Sequence, residues 1–269
     1  MLRFTVFLLA ALPLLIACDR SDNGARENVL RIGATVTPHA QILEEAKSIL
    51  AEEGVKLEIV VFNDYVQPNT QVAEGQLDAN YFQTQPYLDE FNAARGTHLV
   101  PIIGVHVEPL GAYSHKYHAI SALRDHADVA LPNDASNAGR SLLLLQQAGL
   151  ISLRKGQDRL QTIADISENP KNLTFRELEA AVLPRVLNEV DLVVINTNYA
   201  LDAGLNPRKD ALALESAKSP YVNYLVSRLD NRSDPRILKL AAALTGPAIR
   251  NYIDRTFDGA VIPAESGNP

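Results

Sequence analysis

The sequence predicts an α/β protein with two lobes, and three observations support this fold class. Short runs of β-branched residues alternate with helical patterns along the chain from Val29 onward. The first unit has the order strand, helix, strand, which implies a parallel sheet covered by helices. Two later segments with strand character, residues 104–114 and 219–227, are placed where the chain would cross between lobes. Two α/β lobes fit this arrangement better than one continuous sheet.

The first lobe is predicted from the elements that follow one another up to residue 114. A helix at 39–54 is the clearest of them, because its apolar residues recur on one face and Gly54 ends it. That face carries Ile42, Ala46, Ile49 and Leu50. The other predicted elements here are strands at 29–36, 56–62 and 77–82, helices at 68–75 and 86–96, and a pair of strands within 98–114.

The second lobe is predicted from a further set of alternating elements. These are strands at 129–132, 173–178 and 192–196 and helices at 138–150 and 198–205, followed by a tail at 237–257 that is helical on both sides of Gly246. We assign residues 29–112 together with 225–269 to lobe I, and residues 113–224 to lobe II. Hinges are expected near residues 111–113 and 222–224.

The composition limits the class of function. The chain has 269 residues, 46% of them hydrophobic and 21% charged, which is an ordinary globular composition with room for two modest cores. The net charge is −7, and neither a basic stripe nor a basic aromatic-rich segment is present. Nucleic acid is therefore not an expected partner.

The N-terminal residues predict export and attachment to a membrane by lipid. Arg3 precedes an apolar segment at 4–17 that is shorter than the roughly 20 residues of a spanning helix, so residues 1–17 are predicted to be a signal peptide. The segment ends at Cys18, the only cysteine, in a pattern that resembles the bacterial lipobox. The alternative is a stray cysteine in an ordinary signal peptide.

A lipidated Cys18 would carry a diacylglycerol and an amide-linked acyl chain such as palmitate, which together give stable membrane attachment. The polar residues that follow, 18–28, are predicted to form a tether between lipid and domain. Asp19 resembles the signal that keeps some Gram-negative lipoproteins at the inner membrane. The expected location is the periplasmic side of the cell envelope, at the inner membrane.

Polar residues follow four of the predicted strands, at 63–65, 80–82, 132–134 and 196–198. In open α/β sheets the carboxyl ends of the strands are where ligands bind, so these four loops are expected to face one cleft. Any one of them could simply be a turn, because Asn and Asp favour turns. Four together indicate a binding site.

Arg140 is the second candidate feature, because it stands two residues before the run Leu142–Leu145. Residues 137–139 open its helix, so free backbone N–H groups and the helix dipole would favour an anion there. An arginine fork beside them would bind a carboxylate with two hydrogen bonds. The alternatives are an exposed arginine in the first turn, or one paired with a protein carboxylate such as Asp134.

Seven segments of the chain, taken in order, resemble the NlpA-type methionine-binding lipoproteins, which are substrate-binding components of methionine uptake ABC transporters. The segments are FNDYVQPN, ANYFQTQPYL, EPLGAYS, PNDASNAGRSLLLLQ, ENPKNL, VINTNYA and SPYVN. The resemblance implies a two-lobed periplasmic-binding-protein fold with a ligand cleft between the lobes. It also implies that the protein captures one small amino acid, L-methionine first of all, and delivers it to a permease with its ATPase.

The resemblance also implies roles for particular residues. Arg140 corresponds to the residue that binds the ligand carboxylate, and Asn137 belongs to the same helix start. Asn196 and Asn223 correspond to polar partners of the α-amino and carboxylate groups. Each of these groups suits a zwitterion, which needs a fixed cation and neutral acceptors.

The side chain of the ligand would lie among aromatic residues. Tyr65, Phe82 and Tyr87 correspond to the aromatic walls, and a thioether gains about 0.3–1.5 kcal/mol from each ring contact. Thr84 departs from the family, which commonly has histidine there; threonine leaves more room and adds one donor and acceptor. The ligand could therefore be a different amino acid, a methionine derivative or a methionine-containing dipeptide.

Two other classes of function are weighed against this one. His106, Glu108, His115 and His118 lie within thirteen residues, and metal-binding transport proteins of similar architecture use such side chains as ligands. Strand alternation would send His115 and His118 to opposite faces, so no metal site is predicted. The sequence has no GxSxG elbow, Walker loop or HExxH motif, so neither an enzyme nor a cofactor is expected.

Overall fold

The computed structural model of the protein describes residues 28–154 and 160–265. The predicted signal peptide at 1–17, the lipidation site Cys18, Asp19 and the tether up to residue 27 lie outside the described residues. Within the described ranges, no helix combines the length and the apolar character needed to cross a membrane.

The described residues form strands and helices that alternate along most of the chain. The strands are β1 (Val29–Thr35), β2 (Lys56–Phe62), β3 (Ala79–Thr84), β4 (Leu99–Val107), β5 (Gly111–Tyr113), β6 (Asp128–Pro132), β7 (Ser152–Leu153), β8 (Ile166–Glu168), β9 (Thr174–Leu178), β10 (Leu192–Ile195), β11 (Ala213–Leu214), β12 (Val222–Arg228) and β13 (Ile262–Pro263). The helices are α1 (Gln41–Glu52), α2 (Gln67–Ala73), α3 (Gln85–Arg95), α4 (Ala135–Gln147), α5 (Thr197–Asp202), α6 (Pro207–Asp210), α7 (Pro235–Thr245) and α8 (Pro247–Phe257).

The first lobe is built on a six-stranded mixed sheet in the order β13-β4-β12-β3-β1-β2. β1 pairs in parallel with both β2 and β3, so the strand–helix–strand unit predicted from the sequence is present. β12 pairs antiparallel with β3 and β4. The last part of the chain therefore returns to the middle of the first sheet.

Helices α1, α7 and α8 cover one face of this sheet. The buried side of α1 carries Ile42, Leu43, Ala46 and Leu50. Ile49, which the helical pattern placed on this face, is only partly buried and packs at the margin of this core. The inner face packs against apolar residues of α7 and α8, including Ile237 and Ile253.

The second lobe is built on a five-stranded sheet in the order β11-β5-β10-β6-β9, and β7 and β8 form a separate pair. α4 packs on this sheet through Leu142, Leu144 and Leu145, while Leu143 is 43% exposed. The four leucines are thus divided between core and solvent by the helical repeat. α4 also begins three residues earlier than the predicted start, because Asp134 caps it by accepting from the Asn137 N–H at 2.8 Å.

The chain passes between the two sheets twice. It leaves β4 at Val107 and enters β5 at Gly111, and it returns from β11 at Leu214 to β12 at Val222. The boundaries predicted at 112/113 and 224/225 fall inside β5 and β12, so the connecting segments are residues 108–110 and 215–221. The division into lobe I and lobe II at those two points stays a prediction.

Candidate functional site

A small cavity lies between the two sheets. All the residues predicted from the sequence to bind ligand line it, namely Tyr65, Phe82, Thr84, Tyr87, Asn137, Arg140, Asn196 and Asn223. Gln83, Glu108, Thr197 and Asn198 line it as well. The fold therefore brings the eight predicted residues together, while their roles toward a ligand stay predictions.

Three of the four polar loops line this cavity, through Tyr65, Phe82 and residues 196–198. The fourth loop, at 132–134, lines a neighbouring cavity that shares Tyr65 and Tyr87 with the first. Asn80 is the exception, because its side-chain amide donates to Asn69 Oδ1 at 2.8 Å and lies within the first lobe. The cavities are formed by loops of both lobes.

Arg140 is 4% exposed, and its charge is met by Glu215. Its Nε and Nη2 donate to the two carboxylate oxygens of Glu215 at 3.1 and 2.5 Å, and Nη2 also donates to the backbone carbonyl of Glu108 at 2.7 Å. The guanidinium carbon lies 4.2 Å from the centroid of the Tyr221 ring. Among the described residues, no hydrogen bond is formed by Nη1, and Arg140 lines the cavity.

The start of α4 differs from the expectation of free backbone N–H groups that would bind an anion. Glu90, on α3 of the other lobe, accepts from the N–H groups of Ala135 at 3.2 Å and Ser136 at 2.9 Å. Asp134 accepts from the N–H of Asn137. Protein carboxylates thus occupy the positive end of this helix, and only the side chains of Asn137 and Arg140 face the cavity.

A chain of amides fixes how Asn196 faces the cavity. The Nδ2 of Asn137 donates to both carboxylate oxygens of Asp134 at 2.9 and 3.1 Å, which leaves its Oδ1 as an acceptor. Asn196 therefore offers Nδ2 to that Oδ1 at 2.8 Å. Within the described part of the chain, the buried Oδ1 of Asn196 has no partner, and neither does the buried Nδ2 of Asn198. Buried polar atoms are almost always bonded, and both of these belong to residues that line the cavity.

Aromatic rings form the opposite wall. Ring centroids lie 5.0 to 5.9 Å apart in the cluster of Tyr65, Phe82, Tyr87 and Tyr199. The Tyr65 hydroxyl donates to Asn198 Oδ1 at 2.6 Å and the Tyr199 hydroxyl to the carbonyl of Asn63 at 3.2 Å, so both bonds join the two lobes. Tyr199 was not predicted, although it follows the polar loop at 196–198 and belongs to α5.

Glu108 lies on the first connecting segment and belongs to a buried cluster with two histidines. Its Oε1 is 2.7 Å from the Nε2 of His106 and 3.2 Å from the Nε2 of His39. The ligating atoms of these three side chains lie within 4.8 Å of one another. His115 and His118 are exposed on the following loop, and His115 bonds to Asn188 instead. The histidine grouping considered from the sequence is therefore replaced by one that includes His39.

Burial determines the ionisation of this cluster. Desolvation lowers the pKa of His39 to about 4 and that of His106 to about 3, so both rings are neutral near pH 7. Burial also raises the pKa of Glu108, and the charges of His39 and Arg140 oppose this shift. Nothing in sequence spacing connects His39 with Glu108, because they meet only through the packing of the turn before α1 against β12 and the crossing segment.

Two mixed sheets joined by two crossings, with a polar and aromatic cavity between them, define a periplasmic substrate-binding protein. Solved structures agree. A nutrient-binding protein of Burkholderia cenocepacia bound to methionine has a TM-score of 0.85 at 42% identity and covers 88% of this chain and 100% of its own. An ABC transporter periplasmic substrate-binding protein of Coxiella burnetii has a TM-score of 0.84 at 43% identity, over 87% of this chain and 100% of its own.

The sequence profile of the NlpA lipoprotein family matches residues 30–265, and the chain belongs to this family. The D-methionine-binding lipoprotein MetQ of Escherichia coli K12 is 40% identical over 251 residues, 92% of each chain. The membrane lipoprotein TpN32 of Treponema pallidum is 39% identical over 250 residues, 93% of this chain and 92% of its own. The resemblance seen in the sequence is confirmed, and the relatives named here are substrate-binding or membrane lipoproteins rather than enzymes.

Proposed function

We propose that this protein captures a small zwitterionic amino acid, most simply methionine, between its lobes and delivers it to an ABC importer. The observation that carries the proposal is the pair of unpartnered buried amide atoms on two residues that line the same cavity as Arg140. Asn196 offers an acceptor, and Asn198 and Arg140 offer donors. An amino acid supplies the matching groups, because its ammonium donates and its carboxylate accepts.

The carboxylate of the ligand would bind Arg140. Since Glu215 already occupies Nε and Nη2, the ligand would take the Nη1 edge of the guanidinium, together with the Nδ2 of Asn198. Glu215 then has the role of holding the guanidinium in place before the ligand arrives. A cation that is oriented in advance loses less entropy on binding.

The side chain of the ligand would lie against Tyr65, Phe82 and Tyr87. Three rings within 6 Å of one another give a flat, polarizable surface that suits a thioether, at about 0.3–1.5 kcal/mol for each contact. The methionine bound by the Burkholderia relative and the name of MetQ support this choice. Thr84 lines the same cavity, so a different amino acid or a methionine derivative is the alternative ligand.

Closure of the two lobes would be part of the function. The bonds Tyr65 to Asn198 and Tyr199 to Asn63, and those from Glu90 to the start of α4, all join one lobe to the other. They would break when the lobes separate, with residues 108–113 and 215–224 as the hinges. Ligand stabilises the closed form only to the extent that it binds that form more tightly.

Attachment to the envelope would come from lipid on Cys18, and Asp19 would keep the protein at the inner membrane, close to its permease and ATPase. Labelling of cells with radioactive palmitate tests the anchor, with Cys18→Ser as the control that should lose the label. Separation of inner and outer membranes tests Asp19. A protein found in the outer membrane would contradict that part of the proposal.

A thermal-shift screen tests the ligand. The protein is extracted in detergent, unfolded and refolded to remove any ligand carried through purification, and then heated with single amino acids, methionine derivatives and dipeptides. A ligand at 100 times its Kd adds about 2.7 kcal/mol to the stability. A shift with methionine supports the proposal as stated. A shift with another amino acid alone would keep the binding class and reject methionine, and no shift with any of them would overturn it.

A further inference from the structure

The carboxylate of Glu108 is hydrogen-bonded to His106 and lies beside His39. Glu108 is 5% exposed and lines the cavity, while His39 and His106 lie behind it at 1% and 0% exposure. Both Nε2 atoms lie within hydrogen-bond distance of the same oxygen, Oε1, at 3.2 and 2.7 Å. The Nε2 of His39 has its hydrogen bond to the Oδ1 of Asn223, at 3.1 Å. A carboxylate and an amide oxygen only accept, so each ring presents an Nε2–H.

The far side of each ring agrees with this tautomer. The Nδ1 of His39 lies 2.7 Å from the hydroxyl of Thr35, and the Nδ1 of His106 lies next to the hydroxyl of Tyr81. Each hydroxyl can donate to a bare Nδ1, so all four ring nitrogens are satisfied in the neutral form. The backbone N–H of Asn198 bonds to the same carboxylate, so the neighbours that orient it are uncharged.

Charge is unevenly distributed between the two ionised groups of the cavity wall. Arg140 has its full counter-charge in Glu215, at 2.5 Å. In the described part of the chain, no lysine or arginine forms an ion pair with Glu108. A buried carboxylate without a paired cation is costly, and a cation that enters the cavity would remove that cost.

We propose that Glu108 accepts the α-ammonium group of the ligand and that His39 and His106 are positioning residues that hold its carboxylate toward the cavity. This inference rests on the proposed function, because it assigns the second charge of the same ligand. Asn196 Oδ1, also on the cavity, is placed to share the ammonium.

The two charges of the site are close together, which restricts the ligand class. The Nη2 of Arg140 donates to the backbone carbonyl of Glu108 itself, at 2.7 Å, so the guanidinium is in contact with the residue that bears the carboxylate. An α-amino acid has its ammonium and carboxylate on one carbon, which suits two charged groups on neighbouring parts of the cavity wall. A dipeptide with methionine at its C-terminus moves the ammonium one residue away, and an α-hydroxy acid lacks it. Both classes are expected to bind much more weakly than free methionine.

The test compares methionine with its α-hydroxy analogue, which keeps the carboxylate and the thioether. Calorimetry on the whole protein is expected to show at least about 100-fold tighter binding of methionine. Glu108→Gln keeps the shape of the side chain and removes its charge. It should weaken methionine about 100-fold, leave the hydroxy analogue nearly unchanged, and so remove the discrimination between the two.

The outcomes separate the two proposals. If the parent protein binds methionine and Glu108→Gln binds it as tightly, the ammonium role of Glu108 is wrong while the proposed function stands. If the parent binds neither compound and no other amino acid of the thermal-shift screen, the proposed function itself fails.

The positioning role of the histidines has its own readout. His106→Gln keeps an N–H donor and should keep most of the preference for methionine over the hydroxy analogue, whereas His106→Leu should lose this preference. If His106→Leu does not fold, the same comparison is made between His39→Gln and His39→Leu. The exposed His115→Gln is the control and should change nothing. Equal discrimination in the folded Gln and Leu variants would reject the positioning role. Stoichiometric zinc binding that depends on His39 and His106 would reject the whole inference in favour of a metal site.

Discussion

The polar and aromatic walls of the cavity are built in different ways. Arg140, Glu108, Asn137 and Asn196 are each fixed by at least one hydrogen bond whose partner is fixed in turn. The aromatic residues contact one another through rings about 5.0 to 5.9 Å apart, and Phe82 has no polar atom in its side chain. Buried charges and amides must be bonded, whereas ring contacts tolerate many shapes. The polar wall should therefore provide the affinity for amino acids as a class. The aromatic wall should select among amino acids, with a smaller effect on affinity.

Acidification should give the largest effect, and it acts on the polar wall. The pKa values of His39 and His106 are lowered from 6.5 to about 4 and about 3, so the unfolded chain takes up protons first as the pH falls below 6.5. Each histidine then lowers the free energy of unfolding by about 1.4 kcal/mol per pH unit until the pH reaches its folded pKa. The stability from both is fully present above pH 6.5. The raised pKa of Glu108 acts with the opposite sign, because its folded form holds a proton that the unfolded form has released.

Urea denaturation at several pH values across this window measures the slope. In His106→Gln, the slope of the free energy of unfolding against pH should be smaller than in the parent by about 1.4 kcal/mol per pH unit. An unchanged slope would mean that His106 is already protonated in the folded protein. The polar wall would then carry an additional positive charge beside Glu108.

Removal of the cation should give the next largest effect. Arg140→Ala should weaken methionine by about 3 kcal/mol, or about 150-fold, because a buried ligand carboxylate loses its charge partner. A double variant, Arg140→Ala with Glu215→Gln, avoids leaving the charge of Glu215 without its partner. Arg185→Ala is the control, because Arg185 is exposed. Calorimetry measures all three. A double variant that binds as tightly as the parent would exclude Arg140 from carboxylate recognition.

A change in the aromatic wall should have a smaller effect. Phe82→Leu should weaken methionine by about 1 kcal/mol, because one sulfur–aromatic contact is lost, and should change leucine binding less. Phe91→Leu is the matched control, since Phe91 is similarly buried but lies in the core of the first lobe away from the cavity. Both variants are expected to lose some stability. If Phe91→Leu weakened methionine as much, the effect would be one of general packing.

Thr84 should give the smallest effect. Thr84→Val keeps the shape and removes a hydroxyl that caps no backbone N–H of α3. Methionine affinity should change by less than about 0.5 kcal/mol, while methionine sulfoxide, with a polar side-chain oxygen, should lose more, at about 1 kcal/mol for one hydrogen bond. Competition between the two ligands measures the difference. A tenfold loss for methionine would assign Thr84 to the polar wall.

Local patterns in the chain were sufficient to predict much of the fold. The periodicity of α1, the turn signals after strands and the apolar character of β10 depend on neighbours a few residues apart, so each could be recognised without the rest of the molecule. The family resemblance added the cavity, and the eight residues that it singled out do line one. Even there, local reasoning missed Asp134 as the cap of α4, which moved the start of that helix.

The partners of the buried charges were decided only by tertiary packing. Arg140 meets Glu215, which is 75 residues away, and Glu90 reaches the start of α4 from the other lobe. His39 reaches Glu108 because the turn before α1 packs against β12 and the crossing segment. Periodicity indicates which face of an element is buried, but it does not indicate which other element will pack against that face. That choice depends on strand order, register and the two crossings between the sheets, which exist only once the whole chain has folded.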